Sequence, residues 1–170
     1  MRRFLSVKWL MLFSLALIWG SSFILMKRGL TAFRPDQVAS IRMLVACLAS
    51  LPLAFSRLRH IKWESAKYMA VVGIVGSGIP AFLFATAQTR ISSYLAGMLN
   101  ALTPVFTLIL GSLFFHSKFT RRQIAGVMIG FIGATGLVFV RSGGGLSADA
   151  GFAFLIVIAT CCYGISVNTI

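Results

Sequence analysis

Acidic side chains are nearly missing: Asp36, Glu64 and Asp149 are the only three in 170 residues. All three lie in or beside polar links between apolar runs, so the sequence lacks the membrane-buried carboxylates that mark proton and ion pathways. Histidine is as scarce, with His60 and His116 each standing alone. Cys47, Cys161 and Cys162 form no Cys-x-x-Cys pair and have no neighbouring histidine, which excludes a recognisable metal site or disulfide framework and leaves small buried thiols. No nucleophile elbow and no phosphate-cradling Gly-Lys motif occurs. The glycine-rich stretch "RSGGGLSADAG" joins two apolar spans and lacks the lysine of a phosphate loop, so it reads as a flexible outer loop. These absences argue against an enzyme, and the residues call for no cofactor and no metal.

Apolar residues are what the chain has in excess. They make up 58% of it, and the mean hydropathy is +0.92, leaving too little polar surface to coat a soluble domain of this size. A transmembrane helix needs about 20 mostly apolar residues. Six such stretches can be drawn, at roughly 9 to 26, 37 to 56, 67 to 88, 93 to 115, 122 to 140 and 151 to 170. The predicted fold is therefore all-α, a polytopic membrane bundle of six helices with membrane lipid around it. The opening "MRRFLSVKWLMLFSLALIWGSS" has arginines before an apolar run, as a secretory signal does. That run is too long for a signal's apolar core and ends at Lys27-Arg28 without a cleavage site, so it reads as a retained first helix.

A net charge of +13 could indicate nucleic acid if it formed one patch, but here it sorts into the links between spans. One set of alternate links holds Arg2, Arg3, Lys8, Arg57, Arg59, Lys62, Lys67, Lys118, Arg121 and Arg122; the other holds Lys27, Arg28, Arg34, Arg90 and Arg141. The positive-inside rule then places the N-terminus in the cytoplasm of a cell with an inner or plasma membrane, and no nucleic-acid partner is expected.

Within the fourth span, helical spacing puts Ser93, Gly97, Asn100, Pro104, Thr107 and Gly111 on one face, with Thr103 beside it. Pro104 has no N–H for the Asn100 carbonyl, and a polar, kinked face of this kind is expected to look at protein or a cavity and not at lipid. The third span repeats the pattern: Gly73, Ser77, Pro80 or Ala81, Phe84 and Gln88 align, and Pro80 frees the carbonyl of Gly76. Two consecutive proline-interrupted helices suit flexing elements or a site at mid-membrane depth. The fifth span is different. Gly126, Gly130, Gly133 and Gly136 form a small-residue surface with nothing polar beside it, which predicts close helix packing. Arg42 is the one charge well inside a span, and two roles fit it: snorkelling to the outer interface, or an attraction point for anionic groups.

Trp19-Gly20-x-Ser22 in the first span matches Tyr163-Gly164-x-Ser166 in the sixth. If the sixth span begins a second copy, the unit has five helices, and an odd number forces the copy to enter the membrane from the opposite side. The segments "ALIWGSSFILMKRGL", "IRMLVACLASLPL" and "AGMLNALTPVFTLILGSLFFHSKFTRRQIAGVMIGFIGATGLVFV" resemble the drug/metabolite transporter superfamily, and within it the EamA-type permeases, from Lys8 to about Val140 and again from Gly151. That resemblance implies two inverted five-helix halves around a central cavity, moving small metabolites by alternating access. It maps the aromatic-Gly-x-Ser helix to Trp19 through Ser22, the second-helix arginine to Arg42 and the fourth-helix proline to Pro104. Where the family has a Gly-Glu-Arg-like turn, this chain reads His116-Ser117-Lys118.

The expected organisation is a five-helix EamA-like repeat over 1–142, an outer glycine-rich loop at 143–150 and the first helix of an incomplete second repeat at 151–170. The expected cavity residues are Trp19, Ser22, Gln88, Asn100, Thr103, Pro104, Thr107, Tyr163 and Ser166, with Arg42 as an anion contact and Gly126, Gly130 and Gly133 as packing positions. A small molecule is the expected partner; a chain natively this short would need a homodimer to enclose one. Such a lining suits amino acids and their derivatives, nucleosides and cationic drugs alike. The alternatives are a non-transporting membrane interaction subunit or an inactive truncated product.

Overall fold

A computed structural model describes residues 2–58, 63–141 and 150–169. The chain forms helices α1 (Arg2–Gly29), α2 (Pro35–Leu58), α3 (Trp63–Gly73), α4 (Ile79–Ala87), α5 (Ser93–Asn100), α6 (Thr103–Phe114), α7 (Arg121–Arg141) and α8 (Ala150–Thr169), and no strand occurs among the described residues. Five segments are long and apolar enough to cross a membrane: Val7–Gly29, Pro35–Phe55, Ser65–Ala87, Ser93–Phe114 and Ala150–Thr169. The fifth predicted span is covered by α7, a further helix of 21 residues. Of the glycine-rich loop expected at 143–150, all but Ala150 lies outside the described residues.

Local chemistry fixes where these helices begin. The Thr120 N–H donates to Gln123 Oε1 at 2.8 Å, and the Gln123 N–H donates back to Thr120 Oγ1 at 3.4 Å. This reciprocal box satisfies two of the backbone donors that a helix start leaves open. Before α2 the Arg34 N–H donates to Gln37 Oε1 at 3.0 Å, and at α5 Ser92 Oγ accepts from the Leu95 N–H at 3.2 Å.

Both proline-interrupted spans are broken, each in its own way. Between α3 and α4 runs a five-residue π-helical segment, Ile74–Gly78, closed by the Ile79 N–H donating to the Ile74 carbonyl. This widened turn absorbs the loss of the Pro80 N–H. Between α5 and α6 the winding tightens instead: the N–H groups of Ala101 and Leu102 donate to carbonyls three residues back, Met98 and Leu99, both at 3.0 Å.

Helix α8 is the centre of the bundle. It packs most extensively on α6 and α4 and also touches α5, α3 and the π segment; α2 lies on α4, α1 on α5, and α7 on α5 and α6. Glycine permits the closest approach. A β-carbon at Gly164 would stand 3.0 Å from the Phe106 carbonyl carbon and 3.1 Å from the Thr107 nitrogen, and Asn168 Nδ2 donates to the Thr107 carbonyl at 3.0 Å one turn further on. One at Gly111 would stand 2.5 Å from Asn168 Oδ1.

Helix α7 packs on α5 and α6, but its glycines do not face that contact among the described residues. Among the described residues, a β-carbon at Gly126, Gly130, Gly133 or Gly136 would meet nothing within 4 Å. A small-residue stripe shows that a backbone can approach, but not which face of the bundle supplies it. The close contacts occur at Gly164 of α8, Gly111 of α6 and Gly76 of the π segment, which lies against Ser166.

Gly164→Ala is expected to lower stability by about 1–3 kcal/mol, because the new methyl meets immovable backbone. Gly130→Ala should leave stability unchanged or raise it by up to about 1 kcal/mol, since helical glycine is itself unfavourable. Thermal unfolding of both variants in detergent micelles, followed by circular dichroism, measures the difference.

Candidate functional site

A cavity of about 730 Å³ lies midway along the helices. Four elements each contribute a stripe at helical spacing: Trp19, Ser22, Phe23 and Met26 from α1; Met43, Ala46, Cys47 and Ser50 from α2, with Arg42 beside them; Gly73, Gly76 and Ser77 from the α3 end and π segment, continued by Ala81 and Phe84 of α4; and Tyr163, Ser166 and Val167 from α8. Asn100, at the end of α5, and Thr103, at the start of α6, complete the lining from the tightened turn.

One end of this cavity is closed by packing. Met26, Val38, Ala39, Phe84, Ala85, Ala87, Ile91, Ala96, Ile156 and Ala159 form a buried cluster around the α1–α2 and α4–α5 connections and the start of α8. Three aromatic rings cross from α1 through α4 to α8 where cavity and cluster meet, with Phe23 and Phe84 centroids 5.5 Å apart and those of Phe84 and Tyr163 6.1 Å apart. Lys27 Nζ reaches from α1 to the carbonyls of Gln88 at 2.5 Å and Ile91 at 3.0 Å, where its charge complements the C-terminal end of α4. Arg90 stands over the Phe152 ring of α8 at 6.0 Å. The α4–α5 connection is thus tied to both neighbouring helices.

The polar lining is partly self-bonded. Thr103 Oγ1 donates to Asn100 Oδ1 at 3.3 Å. From α2, the Arg42 guanidinium reaches Ser22 Oγ at 3.2 Å and Met26 Sδ at 3.6 Å on α1. Among the described residues that line the cavity, Arg42 is the only charged side chain. No group of three or more histidine, cysteine, aspartate or glutamate residues is placed to hold a metal ion among the described residues.

Of the expected cavity residues, Trp19, Ser22, Asn100, Thr103, Tyr163, Ser166 and Arg42 meet at this one cavity. Pro104, Thr107 and Gln88 do not line it. The two residues wound at the tighter pitch rotate α6 relative to α5, so Pro104 is exposed away from the cavity and Thr107 Oγ1 donates to the Thr103 carbonyl at 2.9 Å. The polar face of the fourth span therefore divides into three jobs. Ser93 Oγ donates to the Phe23 carbonyl at 3.0 Å, Asn100 and Thr103 line the cavity, and the Thr107 carbonyl and Gly111 meet Asn168.

Gln88 lies fully buried, with both Nε2 and Oε1 unpartnered. The sequence reading missed Phe23, Met26 and the α2 stripe from Met43 to Ser50. Extending the same i, i+3, i+4, i+7 spacing from Trp19 and from Met43 finds them.

These features describe a multi-pass helical membrane protein with an aromatic and hydroxyl-lined chamber at the middle of its helices. The chain belongs to the EamA-like transporter family, whose model matches residues 7–139. That family is one of transporters and not of enzymes. The chain is 31% identical over 156 residues to the "uncharacterized inner membrane transporter YedA" of Escherichia coli, covering 88% of this chain and 48% of that one. It is 28% identical over 127 residues to an "uncharacterized transporter" of Archaeoglobus fulgidus, covering 74% and 45%. It is 26% identical over 145 residues to a "probable amino-acid metabolite efflux pump" of Salmonella typhimurium, covering 84% and 46%. The chain thus spans a little under half the length of these curated relatives. No solved structure matches it.

Burying an amide without partners costs about 1–3 kcal/mol per group. Gln88→Met, which keeps the length of the side chain and removes both polar atoms, is therefore expected to raise the thermal midpoint of the purified protein in micelles.

Proposed function

We propose that the chain forms the substrate chamber of a permease that moves small metabolites or drug-like molecules across the cytoplasmic membrane by alternating access, with its N-terminus on the cytoplasmic side. The observation that carries this reading is the cavity itself. Its volume, about 730 Å³, lies within the range of small-molecule sites, roughly 300–1,000 Å³, and its lining combines four aromatic side chains, Trp19, Phe23, Phe84 and Tyr163, with a few convergent polar groups. Discontinuous helices border it at the level where transporters bind their substrates. The π segment and the tightened turn are places where a helix can bend without exposing unpaired backbone to lipid. The aromatic row and the Lys27 clamp serve as the closed gate at one end. Topology follows from the uneven sorting of lysine and arginine, and inner-membrane residence agrees with the name of the Escherichia coli relative.

A non-transporting interaction subunit is the second reading, and the open glycine face of α7 favours it. Cross-linking that captures a distinct membrane protein on α7, together with no transport, would select that reading.

An aqueous chamber makes Cys47 reactive. With Cys161→Ser and Cys162→Ser in place, a charged methanethiosulfonate reagent, which needs water and a thiolate, is expected to modify Cys47 in membrane vesicles. A cysteine placed at Ile129, which is 72% exposed on the apolar surface of α7, should stay unmodified. Mass spectrometry reads both. An inert Cys47 would remove the chamber. For transport, Asn100→Leu is expected to lower the transport rate of any substrate found by about tenfold, roughly the worth of one hydrogen bond.

A further inference from the structure

The cavity carries one uncompensated positive charge. Arg42 projects from α2 across to α1, and among the described residues its guanidinium bonds only to Ser22 Oγ and Met26 Sδ. A guanidinium has five N–H donors, so most of its bonding capacity is free on the cavity side. Among the described residues no acidic side chain lines the chamber, and Asp36, in the first turn of α2, is already paired with Arg34 at 3.2 Å. The aromatic walls alone would accept a cation over their ring faces. A fixed guanidinium in the same chamber opposes that, because like charges repel.

We infer that the chamber selects small organic anions, a carboxylate seated on Arg42 with its apolar or aromatic body between Trp19 and the Phe84–Tyr163 wall, and that it discriminates against cations. This rests on the reading of the cavity as the substrate chamber. A carboxylate accepts two parallel N–H bonds from one guanidinium, which fixes its orientation as well as its charge. The Ser22 hydroxyl, accepting from Arg42, keeps its own hydrogen to donate to the same carboxylate. Asn100 and Thr103 offer an amide and a hydroxyl for a second polar group on the body. Arginine within a bilayer is costly when left alone, and an arriving anion offsets that cost at the moment of binding.

Three probes of one shape test the inference: hydrocinnamate, hydrocinnamide and phenylpropylamine, which differ in charge. Binding is read from the fluorescence of Trp19 in purified protein carrying Trp9→Phe and Trp63→Phe, in neutral maltoside micelles at neutral pH. The anion is expected to bind at least about tenfold more tightly than the amide, with the amine weakest. Arg42→Gln should bring the anion down to the level of the amide while the amide is unaffected, and Arg42→Lys should keep the order. Equal affinities in the unmutated protein, or tightest binding of the amine, would overturn the anion preference and leave the chamber standing. A probe order that survives Arg42→Gln would overturn it too. If none of the three perturbs Trp19, chamber and preference fall together. Displacement of hydrocinnamate by phosphatidylglycerol doped into the micelles would assign Arg42 to lipid phosphate and overturn the proposal. Should Arg42→Gln fail to fold, the order of the three probes on the unmutated protein still decides.

Discussion

The missing β-carbon at Gly164 sets how near α8 comes to α6, and the bundle is arranged around that contact. With 3.0 Å from the would-be β-carbon to the Phe106 backbone, nothing larger than hydrogen fits without moving the helix. That closeness brings the Asn168 amide within 3.0 Å of the Thr107 carbonyl, a bond across two helices in a medium with no water to compete for it. It also presents Tyr163 and Ser166, one position before and two after the glycine, to the cavity. A single small residue thus couples the closest approach of a glycine to another helix's backbone, among the described residues, to the wall of the chamber.

Gly164 belongs to the second of the two matching tetrads, and the structure makes the two unequal. Trp19 and Ser22 line the cavity as Tyr163 and Ser166 do, so equivalent positions of both tetrads face the same space. Gly20, the counterpart of Gly164, meets nothing within 4 Å among the described residues. Identical spacing therefore gives the same side-chain direction in both helices, because direction follows from the 100° step per residue. It does not give the same packing, which depends on what lies opposite.

That distinction separates what was legible in the sequence from what was not. Span positions, breaks near Pro80 and Pro104, and part of the chamber lining follow from hydropathy, a missing N–H and helical spacing, all of which are local. The breaks themselves were not specified: one widens to a π turn and the other tightens, and the tightened one turns Pro104 and Thr107 out of the face that Asn100 holds. The glycine stripe of α7 and the buried Gln88 differ in kind. A stripe records permission for a neighbour, and a polar residue records a demand for one; neither names the partner, which is a property of the assembled bundle.

The closed end and the chamber are linked through α4. Phe84 belongs at once to the buried cluster, to the aromatic row and to the cavity lining, while Gln88, one turn on, gives its carbonyl to Lys27 and leaves its amide unpaired. Directly before α4 stands the π segment, whose Gly76 approaches Ser166 so closely that a β-carbon there would overlap its hydroxyl. Ser166 therefore bears on the one part of the third span with a non-standard turn, directly before α4. The orphaned amide of Gln88 makes this end less stable than its apolar packing alone would be.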